Sequence, residues 1–176
     1  MRNLAVILFI FLLAPVLFSA GMEESVPVPE RDLEFRGFRW GAALEDVIKK
    51  EGLPEIEEEQ DGKLLLGYEN TDVSGYTANM GILFDDDGLA MGLYFLELDN
   101  PEKANECFND LLSKLYVLYG NTILTDSFLE IPESRVSVWY FSGGCILLNY
   151  DKGGTEVELM YSSIAAFQDL MNLSGL

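Results

Sequence analysis

The side chains of this chain that can do chemistry are carboxylates, tyrosines, lysines and two cysteines, because the sequence contains no histidine. A Ser-His-Asp triad, a Cys-His pair and a His-ligated metal are therefore excluded. Paired acids occur at Glu156 and Glu158 and at Asp85 and Asp87. Two carboxyl groups about 5 to 9 Å apart in a cleft can hydrolyse a glycosidic bond, and residues i and i+2 on a strand have that spacing. Alternating acids are nevertheless more typical of a solvated face, so we expect no enzyme and no cofactor.

The run Asp85-Asp86-Asp87-Gly88 has two interpretations. A calcium loop of the helix–loop–helix kind needs ligands spread over about twelve residues and ending in a Glu, and that spacing is missing. Asp followed by Gly between two apolar runs is instead a hairpin signal. We therefore predict a hairpin without a metal, and we predict that the acidic segment 55–61 is a solvated loop.

The two cysteines, Cys107 and Cys145, are too few to form a disulfide framework in a domain of this size. Cys107 lies on the apolar stripe of a predicted helix, and Cys145 falls on the opposite face of the predicted sheet. A disulfide needs Cα atoms within about 7 Å of each other. The sequence therefore predicts two unbonded thiols.

The N-terminal segment has the pattern of a secretory signal. Arg2 is followed by an apolar run, and the small residues Ser19, Ala20 and Gly21 form the exit. We predict a cleaved signal peptide over 1–21, a flexible leader over 22–34 and one α+β domain over 35–176. An uncleaved anchor helix is the alternative. The prediction places the mature protein in the periplasm or outside the cell, with no membrane span after cleavage.

The net charge is strongly negative, at −19 for the whole chain. Such a field repels nucleic acid and anionic lipid headgroups, so neither is an expected partner. It favours solubility and permits a basic partner, for which another envelope protein is the candidate.

Apolar periodicity and turn signals divide residues 35–176 into helices and strands. The predicted order is a helix, three strands, a long helix, three strands and a final helix: 41–51, 63–69, 76–85, 89–98, 101–119, 135–142, 145–150, 155–161 and 163–173. The fold class that follows is α+β, with two tandem helix–three-strand repeats forming an antiparallel sheet, helices on one face and a C-terminal helix.

Strand alternation then assigns the sheet face opposite the helices. In each strand a polar residue marks the set that points outward. These residues are Glu156 and Glu158 in strand 155–161, Asn149 in strand 145–150, and Ser137 in strand 135–142. In the first half of the chain, the outward set includes Gly67, Glu69, Asn79 and Gly81. The candidate partner-binding residues on this face are Trp139, Phe141, Leu147, Met160 and Tyr94. Coverage of this patch by the N-terminal segment or by loops is the alternative.

The stretch Phe35-Arg36-Gly37-Phe38-Arg39-Trp40-Gly41 opens a short helix, and a later helix ends in Tyr119-Gly120. This pattern resembles uncharacterised exported bacterial proteins. The layout of residues 35–176 is similar to the tandem-repeat fold of β-lactamase-inhibitor protein and of the small lipoprotein of the outer-membrane barrel-assembly machine. The resemblance implies binding of a protein through an exposed surface. The chain lacks a cysteine that could carry the lipid of that lipoprotein.

These observations favour an exported protein-binding or inhibitor-like module of the cell envelope, acting through an exposed sheet face. Two alternatives stay open. One is a carboxylate-dependent hydrolase, and the other is a structural envelope protein with no ligand.

Overall fold

The computed structural model describes residues 30–121, 124–125 and 134–173, with side chains over 30–121 and 134–169. The predicted signal segment 1–21 and residues 22–29 of the predicted leader lie outside this part of the chain. None of the helices in the described part is long and apolar enough to cross a membrane.

The described residues form ten strands and three helices. In chain order they are β1 (Glu34–Phe35), β2 (Phe38–Arg39), α1 (Leu44–Glu51), β3 (Ile56–Gln60), β4 (Lys63–Val73), β5 (Tyr76–Asp85), β6 (Gly88–Glu97), α2 (Pro101–Tyr119), β7 (Leu124–Thr125), β8 (Ser134–Phe141), β9 (Gly144–Asp151), β10 (Glu156–Ser162) and α3 (Ile164–Leu173).

Eight of these strands form one antiparallel sheet in the order β3-β4-β5-β6-β10-β9-β8-β7. The two halves of the chain meet where β6 pairs with β10, with Phe95 opposite Glu158 and Leu93 opposite Met160. Strands β1 and β2 form a separate hairpin. The sheet is continuous across this junction, so residues from both halves of the chain lie side by side on each of its faces.

Helix α2 covers one face of the sheet, here called the α2 face. Asn100 caps its first turn by accepting a hydrogen bond from the Lys103 backbone N–H at 2.9 Å, and Pro101 occupies the first helical position. The helix ends at Gly120. Its apolar stripe forms one core cluster with side chains from six strands, which include Leu66, Tyr68, Met80, Ile82, Tyr94, Leu96, Trp139, Phe141, Ile146, Leu148, Tyr150, Val157 and Leu159.

The β1–β2 hairpin also packs on the α2 face. The ring of Phe35 lies between Tyr94 and Tyr161, with centroids at 5.3 and 5.7 Å. It lies directly over Gly92, where an added Cβ would come within 2.4 Å of the ring. Leu33, in the described part of the predicted leader, is buried in the same core.

Helix α3 covers part of the opposite face, here called the α3 face. Ser163 Oγ caps this helix by accepting from the Ala166 backbone N–H at 3.1 Å. Phe167 packs edge-on against Tyr140 at 6.3 Å. Together with Ala166 it covers Ala90, Met91, Leu93, Val136, Val138, Cys145 and Met160.

The predicted fold class is wrong. The described chain is mainly a β-sheet rather than two helix–three-strand repeats, and its helices do not share one face: α2 and α3 pack on opposite sides. Strand β3, at the sheet edge, was predicted as loop because its sequence Ile-Glu-Glu-Glu-Gln has no alternation. Charged side chains are nevertheless common on edge strands, where they oppose pairing with another chain.

Two local predictions are confirmed. Asp85 and Gly88 are paired across the β5–β6 hairpin, and the Asp87 N–H donates to Asp85 Oδ1 at 2.9 Å. Cys107 and Cys145 are both free and buried, one in the α2-face core and the other in the α3-face core.

Candidate functional site: an acidic groove on the α3 face

The α3 face has a recess in the half of the sheet formed by β3 to β6 and β10. Gly67 on β4 and Gly81 on β5 lie directly opposite each other in register. In the same row, Ile56 stands opposite Gly67 on one side and Leu93 opposite Gly81 on the other. Because neither glycine has a side chain, the sheet surface is recessed between Ile56 and Leu93. The side chains of Ile56 and Leu65 lean over this recess, and Gly81 at its floor is buried. The resulting cavity has a volume of about 140 Å³.

The walls of this recess, called the groove from here on, combine apolar and acidic side chains. Leu65, Leu93 and Phe95 contribute apolar surface. Exposed carboxylates from four strands surround them, namely Glu58, Glu69, Glu97 and Glu156. Lys and Arg are absent from the lining, as far as the described residues show. The groove therefore has a negative rim around an apolar centre.

The groove runs across the strands. Its lining extends from Glu58 on β3 to Glu156 on β10, which spans five neighbouring strands. Four interstrand spacings of about 4.8 Å correspond to about 19 Å. An extended chain rises about 3.3 Å per residue, so a segment of about six residues matches this length.

A buried carboxyl group lies beside one end of the groove. Glu158 is in register with Phe95 on β6 and with Asn149 on β9. Asn149 Nδ2 donates to Glu158 Oε2 at 3.2 Å. The other amide atom, Asn149 Oδ1, is buried and has no hydrogen-bond partner among the described residues. Both side chains are nearly inaccessible, with exposed fractions of 9% for Glu158 and 4% for Asn149.

Burial raises the pKa of Glu158 to about 7, against the opposing effect of the Asn149 hydrogen bond. The negative charges of Asp151 and Glu156 act in the same direction as burial on this pKa. Glu158 is therefore a carboxyl group whose charge changes near neutral pH.

Three of the five predicted binding residues lie on the α2 face. Trp139 is buried, donates from Nε1 to the Gly120 carbonyl at 2.9 Å and meets Tyr116 edge-on. Phe141 packs against the Tyr119 ring at 5.8 Å. Tyr94 packs on the β1–β2 hairpin. The prediction that these three side chains point away from the α2 helix is wrong.

The error for β8 came from its polar marker. Ser137 is buried on the α2 face, on the same side of β8 as Trp139. Val136 and Val138 point to the other side of β8, where α3 covers them. A strand buried on both faces is apolar throughout, so alternation does not identify its sides. The same reasoning applies to β6, which contains Tyr94.

Leu147 and Met160 do lie on the α3 face. Met160 is in register with Leu93 and Leu147. The row that contains Gly67 and Gly81 therefore continues through Leu93 and Met160 to Leu147. Met160 is buried beneath α3, and Leu147 is half-buried. These two residues continue the groove row toward α3.

The residues of the hydrolase alternative are not arranged as a pair of accessible acids. Glu156 is exposed at the groove rim, whereas Glu158 is buried. Asp85 stabilises the hairpin turn. Among the described residues, no group of three His, Cys, Asp or Glu side chains is placed to hold a metal ion.

Strand alternation predicts that Gly67, Glu69, Asn79 and Gly81 lie on this face, but it does not distinguish them from the other outward residues. Glycine in a strand interior marks a close approach or a missing side chain, and that was the available signal. Glu58 could not be found in this way because β3 was not predicted.

Comparison with known proteins adds little to this geometry. No protein-family model matches the chain, and no curated protein matches it. A crystal structure of an extracellular protein containing a SCP domain from Bacillus anthracis is similar at 10% identity and a TM-score of 0.41. That match covers 80% of this chain and 52% of the other, so this chain spans about half the length of that structure. A likeness of this size carries no conclusion about function, and the resemblance to inhibitor and assembly proteins stays a prediction.

Proposed function

We propose that the protein is an exported binding module whose groove binds a positively charged, extended segment of another protein. The observation that supports this proposal is the pair of facing glycines, Gly67 and Gly81, between apolar walls and a rim of four carboxylates. Export is the prediction made from the N-terminal signal pattern.

Charge complementarity determines the kind of partner. Every ionisable side chain that lines the groove in the described structure is acidic, apart from the hydroxyl of Tyr68, and the whole chain carries a net charge of −19. Such a field accelerates encounter with a cation and repels acidic segments. Lys and Arg side chains fit this site because their aliphatic stems pack on apolar surface while their charged ends reach carboxylates.

The shape of the groove favours an extended segment over a helix. The recess at Gly67 and Gly81 is one residue row wide, and this row runs across the strands from Ile56 to Leu93, in the direction of the groove. A helix with side chains is about 10 Å across, whereas an extended chain is narrower and its alternate side chains point to one side. Alternate residues of the segment would face the glycines.

The test uses a synthetic peptide of three Lys-Val repeats and its Glu-Val counterpart, added to protein labelled with ¹⁵N. Binding in the groove shifts the amide signals of Gly67, Gly81 and Phe95 with the Lys-Val peptide and not with the Glu-Val peptide. A rim variant, Glu69→Gln/Glu97→Gln/Glu156→Gln, is expected to bind at least tenfold more weakly, because it loses three of the four rim charges.

A matched control separates the rim from the overall charge. The variant Glu45→Gln/Asp46→Asn/Glu106→Gln loses the same three charges at exposed positions on α1 and α2, which do not line the groove. It is expected to bind within about twofold of the unmodified protein, since a distant exposed charge is screened by salt. Equal loss of binding in both variants would show nonspecific attraction and refute the site. Absence of any shift at Gly67 and Gly81 would favour the alternative of a structural protein with no ligand.

A further inference from the structure

We infer that the Glu158–Asn149 pair makes the groove sensitive to pH, so that the groove binds its cationic segment more weakly when Glu158 carries a proton. This inference rests on the function proposed above and concerns the regulation of the same site. It is argued from hydrogen-bond complementarity, from the charges around Glu158 and from the position of Glu158 beside the groove.

The hydrogen bonding of this pair is complete in only one protonation state. A carboxylic acid has one donor and one acceptor, and a primary amide can match both with its carbonyl oxygen and one N–H. Protonated Glu158 would donate to Asn149 Oδ1, which has no partner in the described part of the chain, while Asn149 Nδ2 keeps its bond to Glu158 Oε2. Ionised Glu158 has only acceptors, so Asn149 Oδ1 stays unsatisfied in the buried site. The pair therefore holds a proton more readily than a solvated carboxyl does.

The charges around the pair also favour the protonated form of Glu158. On its own strand Glu158 is two residues from Glu156, and on β9 Asp151 lies two residues from Asn149. On β6 its neighbour in register is the apolar ring of Phe95, with Glu97 beyond it. On α3 the acid Asp169 is exposed and pairs with Lys63 at 3.9 Å. The charges that shift the pKa of Glu158, those of Asp151 and Glu156, are thus acidic and favour its neutral form.

Glu158 is adjacent to two residues that line the groove. Phe95 is its partner across β6, and Glu156 is its neighbour on the same face of β10. Residues i and i+2 of a strand are about 7 Å apart, so Glu158 is close enough to act on a cation held at this end. When Glu158 is ionised, it adds a negative charge to that end without touching the ligand.

Binding of a cation in the groove therefore disfavours protonation of Glu158, and protonation of Glu158 weakens binding of the cation. At a separation of about 10 Å and an effective dielectric constant of about 20, the interaction of two unit charges corresponds to roughly a tenfold change in affinity. Because Glu158 is only partly ionised at either end of the range, we expect the affinity to rise roughly fivefold between pH 6 and pH 8. By linkage, binding near neutral pH releases a proton.

The experiment combines two measurements on the full folded protein. The ¹³Cδ signal of Glu158 is followed by NMR from pH 4 to pH 9 without ligand. Calorimetric titration with the Lys-Val peptide is then performed at pH 6, 7 and 8 in two buffers of different ionisation enthalpy, which counts the protons released. The same titration is repeated with Glu158→Gln, whose amide can pair with both atoms of Asn149, and with Glu57→Gln as an exposed control.

The inference predicts a Glu158 midpoint near neutral pH, a roughly fivefold rise in affinity, proton release on binding, and a loss of this pH dependence in Glu158→Gln only. A Glu158 midpoint below pH 5 would overturn it, and this readout does not depend on any variant. Peptide binding with the same pH dependence in Glu158→Gln would overturn the coupling and leave the groove as the binding site. Absence of peptide binding at pH 8 would overturn the groove itself and the inference with it.

Discussion

Replacing Glu158 by Gln should change how the stability of the protein depends on pH. Burial raises the pKa of Glu158 from 4.5 to about 7 in the folded protein. Between these two values the folded state binds a proton that the unfolded state has released, so stability falls as pH rises through this window. Below pH 4.5 the group is neutral in both states and has no effect, and above pH 7 the destabilisation is complete.

The size of this effect follows from the shift of the pKa. Each pKa unit corresponds to about 1.4 kcal/mol. The shift from 4.5 to about 7 therefore lowers the free energy of unfolding at high pH by at most roughly 3 kcal/mol. Glu158→Gln removes this contribution and can also satisfy Asn149 Oδ1. The variant should therefore match the unmodified protein near pH 4.5 and exceed its free energy of unfolding by up to about 3 kcal/mol at pH 8.

The assay is urea unfolding followed by circular dichroism at pH 4.5, 6, 7 and 8. The difference between the two proteins isolates Glu158, because the other carboxylates titrate alike in both. Glu57→Gln, at an exposed position on β3, is the control and should give a difference that barely changes with pH. If the difference for Glu158→Gln is equally flat, Glu158 is ionised at low pH in the folded state and the reasoning is refuted.

Two further substitutions test the packing of the α2 face. Gly92→Ala should destabilise the protein by about 1 to 3 kcal/mol in urea unfolding, because its Cβ would lie 2.4 Å from the aromatic ring of the β1–β2 hairpin. Gly81→Ala, whose Cβ would meet its neighbour at 3.5 Å, should change stability by under about 1 kcal/mol, and equal losses would contradict the packing described. Trp139→Ala should cost about 3 to 5 kcal/mol, since the ring is buried and hydrogen-bonded to Gly120. A Trp139→Ala protein of unchanged stability would instead place this ring on the surface.

The helix α2 could be predicted to the residue because its ends are marked in the sequence. Pro101 begins the helix and Gly120 follows it. The apolar residues between them keep the spacing of an α-helix throughout. The strands β5 and β10 were predicted within one residue for a similar reason, since turn signals lie on both sides of each. Local signals of this kind do not depend on the rest of the fold.

The side on which each strand is buried was less predictable. Alternation in β10 identified the correct face, because Glu156 and Glu158 contrast with Val157 and Leu159. Alternation in β8 did not, because α3 covers Val136 and Val138 while α2 covers Trp139. The position of α3 on the second face is a tertiary feature, and it is what makes both sides of β8 apolar.

The groove depends on register between strands, which the sequence of a single strand does not contain. Gly67 and Gly81 form a recess only because they are opposite each other. The rim likewise combines acids from strands far apart in the sequence, such as Glu69 and Glu156, which are brought together by the pairing of β6 with β10. The sequence could indicate an acidic protein with an exposed sheet face, but the location of the site required the topology.

The most direct test of the proposed binding function is the affinity of the Lys-Val peptide for the rim variant, compared with the control that loses the same number of charges elsewhere. Binding at least tenfold weaker in Glu69→Gln/Glu97→Gln/Glu156→Gln, and nearly unchanged in Glu45→Gln/Asp46→Asn/Glu106→Gln, is the predicted result. Equal affinity in the two variants, or no amide shift at Gly67 and Gly81 in the unmodified protein, would contradict it.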